Sequence, residues 1–165
     1  MNQRINITEL FAKFRLEKVK LGPSWANVEI SIDASDSDAA WELYVEMLTR
    51  VVTQALPVET GDEETALDSV YSLFPITREV LRRRGRGAIN FTKIAVPILN
   101  QIVRPFTAKW HGKRLAGDLA DEDIRNEFRD ELATLQEDLR NYNRMLAGIA
   151  GVEDLTDLEK DPETE

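Results

Sequence analysis

From Ala26 to Asp33 the chain alternates. Ala26, Val28, Ile30 and Ile32 are apolar; Asn27, Glu29, Ser31 and Asp33 are polar. A repeat of two places each set on its own face of a half-buried strand. The preceding run, FRLEKVKL from Phe14 to Leu21, alternates too, but Phe14 and Leu16 stand on the opposite parity to Val19 and Leu21. A bulge reconciles them. With LGPSW as the turn between them, the two runs predict a β-hairpin over about residues 14–33. The upstream ITELFAKF fits either a short helix or an extension of the strand.

After Asp33 the period changes to that of a helix. Ser35-Asp36-Ser37-Asp38 supplies capping groups and negative charge for a helix start. A first helix is expected from there to about Leu56, just before Pro57, with Trp41, Tyr44, Val45, Leu48, Val51, Val52 and Leu56 as its apolar stripe. The acidic loop PVETGDEE leads to a second helix with Leu67, Val70, Tyr71, Phe74, Val80 and Leu81 inward. Pro75 kinks it, and Gly85 and Gly87 end it.

A third helix begins near Asn90 or Phe91. Its line FTKIAVPILNQIVRPFTAKWH is apolar on most sides; Pro97 and Pro105 interrupt it, and Gly112 or Gly117 ends it. The fourth starts at Asp121-Glu122-Asp123. It carries Ile124, Phe128, Leu132, Leu135, Leu139, Tyr142, Leu146 and Ile149 at three- and four-residue steps. The expected fold is mainly α: a four-helix up-down bundle with kinked helices, preceded by the hairpin. One domain is expected over residues 1–152, with the bundle at about 36–150 and an acidic, frayed tail over 153–165. Trp41, Tyr71 and Trp110 are expected as core anchors rather than platforms for stacking bases.

Composition narrows the chemistry. The 165 residues include no cysteine and one histidine, His111, so disulfides, thiolate metal sites and His-rich zinc sites within the chain drop out. MNQRINITEL lacks the apolar run of a secretory signal, and no segment approaches the roughly 20 apolar residues of a membrane span. A soluble, cytoplasmic protein is the expectation. Glu42 and Glu46 are spaced to share a metal, but no helix holds the Glu-x-x-His pair of a di-iron bundle. Phosphate-binding Gly-rich loops, G-x-S-x-G and calcium loops are also missing. No metal or cofactor is expected.

Charge is unevenly placed. The chain carries −9 overall, yet between Arg78 and Arg114 ten cations face one acid, Glu79, a local +9 against −18 for the rest. Such a segment suits an anionic ligand, an acidic partner or the protein's own acidic helices. The candidate binding residues are Arg82, Arg83, Arg84, Arg86, Arg104, Lys109 and His111. In an up-down bundle they fall into two groups, 82–86 and 109–114, about 30 Å apart along the third helix. Pairing within the chain and cations at helix ends account for the same residues without any ligand.

Arg104 and His111 form Arg-x6-His, similar to the site of four-helix nucleases of the HEPN type, where arginine stabilises phosphate charge and histidine moves a proton. That resemblance implies a metal-independent ribonuclease completed by a second copy. Pro105 departs from the polar residue usual after the arginine. Separately, VYSLFPITREVLRRRG and IVRPFTAKWHG, following LYVE in the first helix, resemble strings of a group of small uncharacterised bacterial helical proteins. This second resemblance implies a bacterial, partner-dependent role, with some members in antiviral defence loci. The functional expectation is a non-enzymatic accessory protein of a bacterial multiprotein system. Its basic segment would bind an acidic protein or anionic ligand. A homodimer and RNA are further candidate partners, and the HEPN-like dimeric ribonuclease is the alternative.

Overall fold

The computed structural model describes residues 4–158. The chain is mainly helical, with a short two-stranded antiparallel sheet near its N-terminus. Strand β1 (Arg4–Asn6) pairs with β2 (Glu29–Ser31), Ile5 facing Ile30. The hairpin expected over residues 14–33 is therefore corrected. The alternating segment supplies β2, but its partner precedes Phe14, and helix α1 (Ile7–Lys13) stands between the strands in the chain. Asn6 explains the switch. Its side chain accepts from the backbone N–H groups of Thr8 and Glu9, so strand gives way to helix at one residue.

Helix α2 (Ala34–Leu48) starts in a capping box: Asp33 caps it, and the Asp36 side chain returns to the Asp33 N–H. It stops well short of Leu56. Thr49, Val51, Val52 and Thr53 crowd the next turn with β-branched side chains. The freed carbonyls of Val51 and Gln54 accept the buried Gln136 amide at 2.7 and 2.6 Å. The expected second helix is two, α3 (Glu63–Tyr71) and α4 (Leu73–Arg84), which meet at Ser72. Pro75 sits in the first turn of α4, where its missing N–H costs least.

The expected third helix also divides, into α5 (Ile89–Ile98) and α6 (Arg104–Leu115), joined by a π-helical turn at Leu99–Val103. Pro97 and Pro105 each remove a donor from the ladder, and the wider turn between them takes up the register change. Arg104 donates its N–H to Leu99 O as α6 begins. Gly117, at φ 79°, ends the run, while Gly112 lies inside α6. Helix α7 (Glu122–Ala150) is capped by Asp121 and closed by left-handed Gly151.

Helix α2 lies along α7, and α4, α5 and α6 complete the core. Trp110, Tyr44, Phe91 and Phe128 are its largest fully buried side chains. The Trp110 and Phe128 rings meet edge-on at 5.0 Å. Trp41 and Tyr71 are not core anchors: they are 48% and 57% exposed. The start of the expected tail is tied down. Leu155 N–H donates to Tyr44 Oη at 2.5 Å, and Arg144 pairs with Asp157. Residues 159–165 of that tail lie outside the described residues. Among the described residues no helix is long and apolar enough to cross a membrane.

Candidate functional site

Helix α4 carries its arginines on two faces. Arg83 and Arg84 turn toward α2. Arg84 donates Nε to Glu42 Oε1 at 2.9 Å and Nη1 to Asp38 Oδ2 at 3.0 Å. Arg83 Nη1 approaches Glu42 Oε2 at 3.1 Å, as an ion pair rather than a well-aligned hydrogen bond, and its other side meets Glu79. Glu42 thus serves two guanidinium groups. Glu46 pairs with Arg50 instead. The two carboxylates are engaged separately, and among the described residues no group of three or more acidic or histidine side chains is placed to hold a metal ion.

Lys109 is also neutralised within the chain. Its ammonium donates to Glu127 at 2.7 Å and to Glu131. Those two hydrogen bonds, Glu127's first, hold the Lys109 pKa above its ordinary value; the bond from Lys109 in turn lowers that of Glu127. Lys113 faces Asp118, and Arg114 donates to Asp68 at 2.6 Å. As open anion-binding groups Arg83, Arg84 and Lys109 are withdrawn, because α2 and α7 set carboxylates opposite them.

Other cations are left open. Arg78, Arg82 and Arg86 are exposed and have no carboxylate partner among the described residues. Arg78 and Arg82 are four residues apart and share a face of α4. Arg104 is held without a carboxylate. Its Nε and Nη2 donate to Asn100 Oδ1 at 3.2 and 3.1 Å, and its plane lies over the Phe74 ring, 4.8 Å from the centroid. These contacts orient the guanidinium without setting an opposite charge against it. Phe74 also meets Tyr71, whose ring centroid is 5.8 Å from its own.

His111 is exposed two turns after Arg104 on α6. Its Nδ1 lies 3.2 Å from Arg114 Nη2. Guanidinium only donates, so in this contact Nδ1 is placed to accept. The chain as a whole matches no family model, no curated protein and no solved structure.

The expected split of the basic residues into two groups takes a different form. Lys109, Lys113 and Arg114 are paired where they stand, while Arg104 at the start of α6 faces the start of α4. By sequence Arg78 counts in the basic segment without being named a binding residue, and Tyr71 is expected in the core. The four-residue step from Arg78 to Arg82 was a usable signal for the first. For Tyr71 a helical stripe offered none, because the break at Ser72 decides which way the ring points.

Proposed function

We propose that the protein is a non-enzymatic helical interaction protein that receives an anionic ligand or acidic partner on the face formed by Arg78, Arg82, Arg86 and Arg104. One observation carries this reading. The chain has 30 acidic residues against 21 Lys and Arg, yet these four arginines find no carboxylate among the described residues. With acids in excess, four open arginines spread along α4 and its two ends have not lacked possible partners. An accessory role in a bacterial multiprotein system, including an antiviral one, rests on the resemblance of the VYSLFPITREVLRRRG and IVRPFTAKWHG strings. The same reading takes α2, α3 with α4, α5 with α6, and α7 as an up-down bundle, supported by the short connections before α5 and α7 and by α2 lying along α7.

Retention on immobilised heparin, a general polyanion, tests the face. Wild type is retained at low salt, and R78E/R82E elutes earlier. Arg83→Ala and Lys109→Ala elute with wild type, since those cations are already neutralised. Co-elution of R78E/R82E with wild type sinks the proposal.

A second reading, a HEPN-like ribonuclease acting as a dimer, is favoured by Arg104 and His111 both being exposed on α6 at a two-turn spacing. Cleavage of RNA by the purified protein, abolished in His111→Ala, would select it over the first reading.

A further inference from the structure

Resting on the cationic face proposed above, we infer that its ligand is a single-stranded nucleic acid, with phosphates on Arg104, Arg78 and Arg82 and a base stacked on Tyr71. The decisive feature is the ring that joins the two kinds of contact. Phe74 carries the Arg104 guanidinium over its face at 4.8 Å and the Tyr71 ring at 5.8 Å. Phe74 itself is buried, while Tyr71 is 57% exposed. One buried aromatic thus touches both an open guanidinium and an open phenol ring. An acidic protein segment matches the first but does not repeat an aromatic face for the second. A strand of nucleotides offers an anion and a flat π-face at every step, and stacking on an aromatic side chain tolerates any base.

The arginines continue the path. From Phe74 to Arg78 to Arg82 each step is one turn of α4, about 6 Å of rise, a repeat that a flexible sugar–phosphate strand can follow. The three cations assigned to the strand are all arginines, whose forked donors fit phosphate oxygens. Arg104 is also pre-positioned. Asn100 takes Nε and Nη2, and the Nη1 group remains for a ligand. A neutral amide orients it without cancelling its charge, whereas Arg84 and Lys109 are oriented by carboxylates. Duplex DNA is disfavoured, since its bases are already stacked and Tyr71 has no free face to cover. The net charge of −9 works against every polyanion, so binding is confined to low and moderate salt.

The test is fluorescence anisotropy with three labelled probes: a 12-nucleotide oligo(dT), the same oligonucleotide annealed to its complement, and decaglutamate. The single strand is expected to bind at least tenfold tighter than either other probe. Tyr71→Ala is expected to weaken it about fivefold or more and to leave decaglutamate unchanged, while Tyr71→Phe keeps the wild-type affinity. R78E/R82E loses all three probes. Equal affinity for oligo(dT) and decaglutamate, or indifference to Tyr71→Ala, overturns the strand inference. The cationic face survives that result if R78E/R82E still abolishes decaglutamate binding. If R78E/R82E changes nothing, both readings fall. Because Tyr71, Arg78 and Arg82 are exposed and the two arginines are unpaired, circular dichroism should find all the variants folded.

Discussion

Phe91 donates its backbone N–H to Asp36 Oδ1 at 2.8 Å, across 55 positions of sequence. The same carboxylate accepts from the Asp33 N–H and the Asn90 side-chain amide, and Asp36 is fully buried. One acid therefore closes the capping box of α2 and satisfies a donor in the first turn of α5. Asp36→Ala strands the Asp33 and Phe91 N–H groups, leaves the Asn90 amide only its bond to Ser31 O, and should cost about 2–4 kcal/mol. Asp36→Asn keeps one acceptor oxygen and should lose less. Urea denaturation checks both, and an Asp36→Ala protein as stable as wild type would refute this role.

Arg129 has a similar task in the acidic loop before α3. Its Nε donates to Glu63 at 2.6 Å, Nη1 to Pro57 O and Nη2 to Gly61 O. Three donors of one planar fork hold three points of the loop, a geometry that lysine cannot reproduce. Arg129→Ala and Arg129→Lys should both destabilise by about 2–4 kcal/mol and open residues 57–62 to proteolysis. Rescue by lysine would show that charge alone suffices.

The Lys109–Glu127 pair predicts a pH dependence. The hydrogen bond from Lys109 holds the Glu127 carboxyl below its usual value. Glu127 and then Glu131 hold the Lys109 ammonium above its own. A depressed carboxylate adds stability that is present above its unfolded pKa, near about 4.3, and is lost as pH falls through the lower folded value. A raised lysine adds stability that is full below about 10.4 and is lost as pH rises through the higher folded value. Lys109→Met should flatten stability against pH at both extremes and leave the slope between roughly pH 5 and 9 unchanged. The groups are exposed, so added salt should mute the difference. Parallel curves for the two proteins would contradict the assignment.

Tyr142 is buried, its hydroxyl has no hydrogen-bond partner among the described residues, and burial raises its pKa. Removing an unpartnered polar atom from the core should not destabilise. Tyr142→Phe is predicted to be neutral or to gain up to about 1–2 kcal/mol. A loss of more than about 1 kcal/mol in urea denaturation would mean that the hydroxyl is satisfied.

Much of the helical framework was legible because it depends on local chemistry. The stripe from Phe128 to Ile149 on α7 needs only a 3.6-residue period and a core to bury in, and Asp121 and Gly151 mark its ends by their own hydrogen-bonding and φ preferences. Arg104 and His111 share a helix, as their spacing suggested. The interruptions at Pro97 and Pro105 were expected, but the π-helical turn between them was not, since proline states which donors are missing and not how the ladder re-forms. The N-terminal strand was misassigned because alternation marks a strand without naming its partner. Arg4–Asn6 is too short to alternate visibly, and β2 found it across α1.

The sequence by itself determined a mainly helical chain, the starts of α2, α5 and α7, the end of α4, and a cationic stretch between Arg78 and Arg114. Tertiary structure alone decided which of those cations remain open. Asp38 and Glu42 come from α2, Asp68 from α3, and Glu127 and Glu131 from α7, and each cancels a charge only because packing sets it opposite. Coulomb attraction and hydrogen bonding act over a few ångströms of space and take no account of distance along the chain. For that reason Arg83 and Arg84 are neutralised, while their neighbour Arg82 faces solvent.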